Sequence, residues 1–387
     1  SRAVGMRQYN RMPTFDLAVA GAGIVGLAHA LAAARRGLRV AVLERDARAT
    51  SASLRNFGFV TVTGQSEGET RDRALRSREV WEEVAAGAGI AVHQRGAMIA
   101  ALRNEAMEVL SQFAGTAMGA ECTLLDAAQA ARRLPRASAA VKGALWSPHE
   151  IRIDPREAIP ALARWLAEQH DVAFMWTSEV RGIEGRAVRH SAGTLEAGAV
   201  VIAPGAGIAA FAPELARRVR LRQCKLQMLR LASPGFMLPG ALLSDLSLVR
   251  YGGFAAQPAA RALQAKLEVE CAAELANGVH LIVAQASDGT LVVGDSHHHA
   301  DAQDPFASAA VDHLMLEQLG KVLAIPVPRV LERWTGYYPV ADVSPLLTEE
   351  IAPRVRLVSV TSGTGMSTAF AIGEETIDQL FGTRPSM

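Results

Sequence analysis

The chain has 387 residues, 50% hydrophobic and 20% charged, with a net charge of +1 and a mean hydropathy of +0.14. This suits a folded protein with more than one core, and the near-neutral balance, free of long runs of one sign, argues against nucleic acid as a partner. Three separated cysteines (Cys122, Cys224, Cys271) form neither a metal-ligand pattern nor a disulfide framework, and no apolar stretch reaches membrane-spanning length.

Residues 1–13 are polar and lack the apolar centre of a secretory signal, so a cytoplasmic location is expected. Residues 15–20 read as a strand, 21–26 as a glycine turn and the small-residue run after it as a helix stopped at Gly37. Residues 38–43 follow as a second strand ending in Glu44, which completes a βαβ unit. Apolar spacing predicts helices over 68–86 and 103–119. Asp154-Pro155 is a helix start, with a capping carboxylate and a proline in the first turn, and Pro160 is expected to kink that helix. From 172 to 203, β-rich runs alternate with Gly182, Gly185, Gly193 and Gly198, as in an antiparallel meander. Strand-like runs cover 226–231, 246–249, 279–286 and 290–294, with a helix near 307–322. The chain closes on a strand at 355–360, a glycine turn at 361–365 and a helix to 381.

In Gly21-x-Gly23-x-x-Gly26 the three glycines serve in turn for a sharp bend, for room to bring a pyrophosphate against the backbone, and for close packing of helix on strand. The helix N-terminus beyond, at Ile24 and Val25, offers free N–H groups to phosphates. Glu44 is placed to accept hydrogen bonds from ribose hydroxyls, which favours an unphosphorylated ribose. The motif alone does not separate FAD from NAD, but three other segments favour FAD. Ser51-Ala-Ser53-Leu-Arg55-Asn56-Phe-Gly58 keeps small and polar residues near the diphosphate. Ala203-Pro204-Gly205 ends a strand in a turn that can lie over the adenosine. Gly363-Thr364-Gly365 opens another helix, whose dipole would stabilise negative charge on a reduced flavin ring.

With these pieces in this order, the chain resembles the D-amino-acid-oxidase-like family of FAD amine oxidases, which includes glycine and sarcosine oxidase. GAGIVG with Glu44, SASLRNFG, the Asp154-Pro155 helix start, VIAPGAG, Trp334-Thr-Gly336 and SGTGM carry the resemblance, which runs from about Asp16 to Phe381. It implies an α/β fold: a glutathione-reductase-type FAD-binding domain and a second, α+β substrate domain built on an antiparallel sheet. The expected boundaries are 14–87, 146–217 and 329–387 for the FAD domain, and 88–145 and 218–328 for the substrate domain. Arg45, Val180, Gly336, Met366, Ser367 and Thr368 join the expected cofactor contacts. Some relatives attach FAD through a cysteine shortly after the tryptophan or a histidine near SASLRNFG. Neither stands there in this chain, so the FAD is expected to be noncovalent.

A narrower resemblance, through Arg55-Asn-Phe-Gly58, Gly64-Gln65, Gly294-Asp-Ser-His297 and Gly365-Met-Ser-Thr-Ala-Phe370, is to a branch associated with phosphonate breakdown. It implies oxidation of an aminoalkylphosphonate such as 2-aminoethylphosphonate or its N-methyl derivative, with O₂ as the acceptor. In the glycine-oxidase branch an arginine directly before the proline of the Trp334–Pro339 segment grips the substrate carboxylate; here that position is Tyr338. An oxidase or dehydrogenase of N-methyl or D-amino acids, an NAD-dependent enzyme and a noncatalytic flavoprotein stand as rivals.

Arg250 and Tyr251 are first choices for binding the substrate, against a plain surface arginine. Lys225, on a strand, would promote oxygen reduction if it lay near the flavin, and is otherwise an exposed strand lysine. Trp334 and Tyr337 would line the pocket or pack the domain junction. His297-His298-His299 cannot ligate one ion together, because neighbours on a strand face opposite ways; no metal is expected, although His297 or His298 could face an anionic head group. The GD pair Gly294-Asp295 superficially resembles a flavin-hydroxylase motif, but the loop that should follow is far downstream.

Overall fold

The structure, a computed structural model, describes residues 13–383. The expectation about residues 1–13 therefore lies, Pro13 aside, outside the described residues.

Two sheets organise the chain. The first runs, in spatial order, Leu346–Ala352, Val355–Val360, Gly193–Ile202, Thr14–Ala20, Val40–Leu43 and Ala173–Met175. Along that path four of the five pairings are parallel. That is why the central strands read as apolar throughout: helices or hairpins cover both faces, and Leu17, Ala18, Val19, Val42 and Val201 are fully buried. Val180–Glu184 and Ala187–His190 form the expected antiparallel hairpin against the start of Gly193–Ile202. Ala173–Met175 instead leaves the meander and pairs in parallel with Val40–Leu43.

Helix Ile24–Ala34 carries the first glycine turn and helix Gly365–Phe381 the second. They meet backbone to backbone: a Cβ on Gly373 would lie 2.8 Å from the Ala28 carbonyl. Glu69–Ala88 clamps the pair from outside. The indole of Trp81, fully buried, donates to the Met366 carbonyl at 2.8 Å and meets Phe370 edge-on, while Ala371 N donates to Ser77 Oγ at 3.0 Å. Truncating Trp81 to alanine would cost about 3–5 kcal/mol.

The second sheet is mostly antiparallel and has ten strands, with Arg222–Leu231 at its heart, pairing with Leu291–Gly294, His298–Ala300 and Val330–Val340. Gly143–Ile153, Val92–Ala101 and Phe59–Val60 extend it. The expected domain boundaries give Phe59–Val60, residues 146–153 and Val330–Val340 to the FAD domain, yet all three are hydrogen-bonded into this sheet. Val330–Val340 runs alongside the whole of Arg222–Leu231. The run 246–249, read as β-rich, is a 3₁₀ helix (Asp245–Val249), set by buried Asp245, which accepts from Leu102 N and the Arg103 guanidinium. Pro155–His170 starts under the Asp154 cap and continues as helix through Pro160.

Candidate active site

A cavity of about 530 Å³ lies between the sheets. One end is made of backbone. Gly23, Ile24, Val25 and Gly26 line it from the first turn, and Gly363, Thr364, Gly365 and Met366 from the second. A Cβ on Gly365 would sit 3.7 Å from Ile24 Cγ2, so the two turns converge on one space. Side chains are excluded where the turn is tightest: a Cβ on Gly26 would lie 1.8 Å from Gly21 O, and one on Gly23 3.0 Å from Ser53 Oγ. Ser53 Oγ accepts from Ile24 N at 2.9 Å, which ties the segment around 51–58 to the helix N-terminus. Asn56 fixes that segment further, its amide donating to Ala52 O and Ser53 O while its oxygen accepts from Gly58 N.

The other end is made of side chains. Arg250, Tyr251, His280, Asp295, His297, Tyr337 and Tyr338 line it. Tyr338 lies beside the second turn: a Cβ on Gly363 would come within 3.2 Å of its hydroxyl. Next to Tyr338 is the His297 ring, and the His297 and His280 ring centroids are 5.1 Å apart. Both imidazoles point Nε2 at one carboxylate, His280 at 3.0 Å from Asp295 Oδ1 and His297 at 3.5 Å from Asp295 Oδ2. All three side chains are buried, and burial is the main force pulling both histidines below their ordinary range. Burial alone would raise the Asp295 carboxyl; its interactions with the His297 and His280 rings and the charge of Arg250 oppose that and hold the group below its usual range. Arg250 itself makes no ion pair or side-chain hydrogen bond among the described residues.

The family model for FAD dependent oxidoreductases (DAO) matches residues 16–379. The chain belongs to that family. Similar solved structures include glycine oxidase from Geobacillus kaustophilus, at 20% identity and a TM-score of 0.75, covering 97% of this chain and 96% of that one. L-proline dehydrogenase from P. horikoshii is similar at 20% identity and 0.76, covering 97% and 95%. Iminodiacetate oxidase from Chelativorans sp. BNC1 is similar at 18% and 0.70, covering 96% of both chains. At these identities the likeness is one of fold. No curated protein sequence matches this one.

The residues present fit FAD, the cofactor of this FAD-dependent oxidoreductase. Two glycine cradles that a Cβ would fill open helices onto one elongated space, as a dinucleotide with a ring at its far end requires. Of the expected cofactor contacts, Gly23, Ile24, Val25, Gly26, Ser53, Arg55, Asn56, Ala203, Gly205, Gly336, Gly363, Thr364, Gly365, Met366 and Ser367 line the cavity. Others lie behind it. Gly21, at φ +112°, donates to Leu43 O beneath the turn. Glu44 accepts from Ala22 N and Asp46 N, leaving carboxylate lone pairs for other donors. Gly58 packs against the Ile153 carbonyl, Thr368 bonds back to Thr364 O, and Val180 is buried in its hairpin. Pro204 is half-buried, and Arg45 and Ser51 are exposed.

On the substrate side, Arg250, Tyr251, His297, Tyr337 and Tyr338 reach the cavity, and three expected residues do not. Lys225 turns away because its neighbour Leu226 takes the inward face; its ammonium donates to Asp304 Oδ1 at 2.8 Å and to Phe306 O at 3.0 Å. His298, alternating with His297, bonds Asn277 Oδ1. Trp334 sits under Arg55, donating to its carbonyl, with the Arg156 guanidinium over its ring. Two cavity groups carry little signal in the sequence. Asp295 stands there only within a GD pair whose spacing fits no flavin-hydroxylase loop, and His280 is a lone histidine beside an apolar run.

Proposed function

We propose that this FAD-dependent oxidoreductase oxidises a small aminoalkylphosphonate, such as 2-aminoethylphosphonate or its N-methyl derivative, to an aldehyde and ammonia or an amine. One observation carries the reading: a tyrosine, Tyr338, stands at the position where a carboxylate-gripping arginine is expected, while Arg250, free of ion pairs among the described residues, faces the same cavity. A guanidinium suits the several acceptor oxygens of a phosphonate. FAD supplies the hydride acceptor; O₂ is the proposed final oxidant, yielding hydrogen peroxide. The chain itself holds the amine carbon toward the ring end, near Gly363 and Tyr338, with Phe57, Phe59, Leu226 and Ile282 keeping bulk water out. The reading places the enzyme in the cytoplasm with the FAD held noncovalently, and the two sheets correspond to the cofactor and substrate units. Among the described residues, no helix is long and apolar enough to cross a membrane.

Anaerobic mixing with a panel of amines tests it. The flavin absorbance should bleach faster with 2-aminoethylphosphonate or its N-methyl derivative than with sarcosine, glycine or D-alanine. The reverse order would transfer the enzyme to amino acids, and no bleaching by any amine would leave only a flavin-binding role.

A further inference from the structure

The His280–Asp295–His297 group has a proton deficit. Ser247 Oγ lies 2.8 Å from the His280 carbonyl, to which it must give its only proton, so at 3.2 Å it can only accept from His280 Nδ1. His297 Nδ1 is 3.0 Å from the Gly278 carbonyl, which also can only accept. In both rings the proton therefore sits on Nδ1, and each neutral ring presents a bare Nε2 lone pair to the Asp295 carboxylate. Three acceptors converge with nothing between them to donate. Asp295 is only 5% exposed, and among the described residues no donor reaches its Oδ1 in hydrogen-bond geometry, although His280 Nε2 lies 3.0 Å away. A buried carboxylate so placed is costly unless a cation joins it. The surrounding groups do not supply one: Tyr251 meets His280 edge-on, Tyr338 packs beside His297 with Cys224 behind it, and Arg250 acts on the group by charge without pairing.

We propose that the missing cation is the substrate's protonated amine, and that His297, with Asp295 and His280, binds it and takes its proton. This rests on the amine-oxidising reading above. In the step, R–CH₂–NH₃⁺ passes one proton from nitrogen to His297 Nε2, leaving a neutral R–CH₂–NH₂ and an imidazolium paired with Asp295. No electrons move in this step, and only the neutral amine has the lone pair that assists loss of hydride from its carbon. The place is apt, since the cluster adjoins Tyr338, which touches the Gly363 turn. Arg250 on the same wall would take the anionic end, so the cavity binds a zwitterion by its two charges.

The test uses holoprotein and whichever panel amine bleaches the flavin fastest. For wild type, the anaerobic reduction rate should fall on the acid side, as the cluster acquires its own proton. Affinity for the dithionite-reduced protein, measured by calorimetry, should weaken by about tenfold per pH unit over the same limb. In the double variant His280→Gln/His297→Gln, reduction near neutral pH should drop on the order of 10²- to 10⁴-fold. The loss should close at alkaline pH, where solvent deprotonates the amine. A structural defect would not be rescued this way. Should that variant lose its FAD, Asp295→Asn replaces it, with the same alkaline rescue expected. An amine that bleaches the flavin with no acid limb in wild type, or with variants whose profiles match it, overturns the proposal while the oxidase reading survives. So does one equivalent of zinc in the purified holoprotein, because the cation would then be a metal. No bleaching by any amine sinks both.

Discussion

At the glycine-turn end of the cavity, the ligand-facing groups are backbone amides presented by two helix starts, and the side chains around them are chosen mainly for being small. At the far end they are side chains from four separate stretches: Arg250 after a 3₁₀ helix, His280 before a strand, Asp295 and His297 after another, and Tyr338 on a long strand. The first end is a shape, intolerant of added volume; the second is a charge arrangement, intolerant of lost partners. A buried histidine occurs at each. His29, on the first helix, has Nδ1 bonded to Val25 O and, among the described residues, no partner for Nε2, so it stays neutral in isolation. The His297 side chain is largely buried too but aimed at a carboxylate, so its charge can matter to a ligand.

This contrast can be broken by substitution. The largest effect should come from Gly26→Ala, whose Cβ would fall 1.8 Å from Gly21 O. Backbone must move, and FAD affinity should fall on the order of 10- to 100-fold, seen as protein purified with little flavin absorbance. A variant retaining a full complement of FAD would mean the first end is not governed by volume.

Next is Arg250→Met, which removes charge at the second end and little volume. KM for an anionic amine should rise on the order of 10²-fold, while an uncharged amine of similar size is hardly affected. Equal losses for both would show that Arg250 acts through packing.

The smallest effect separates the two histidines. Burial lowers His29 from 6.5 to about 4, so the unfolded chain binds the proton more readily. Its stabilising contribution is complete above the unfolded value and is lost as pH falls through the folded one, by roughly 3 kcal/mol in all. In His29→Leu, the fall in stability from about pH 6.5 to about pH 4 should be shallower than in wild type by that amount, as read by denaturant titration. Parallel curves would show that His29 is not held neutral.

How far the sequence reached follows the same division. The first end was legible because its physics is local: a strand, a glycine at a positive φ and a helix start lie within a dozen residues, and any sequence meeting those constraints shows it. The Asp154 cap and the final strand and helix were readable for that reason too. What the sequence could not fix was partnership over distance. It could not show that Val330–Val340 pairs along Arg222–Leu231, because which strand claims it depends on residues a hundred positions away. It read 246–249 as β-rich, where the buried Asp245–Arg103 pair holds a 3₁₀ turn instead. It left Lys225 between a place near the flavin and an exposed strand face, and it overlooked His280, since side-chain alternation on a strand is decided only when the sheet is packed and one face becomes the cavity. Backbone conformation is written residue by residue; the meeting of an aspartate with two histidines is a property of the folded sheet alone.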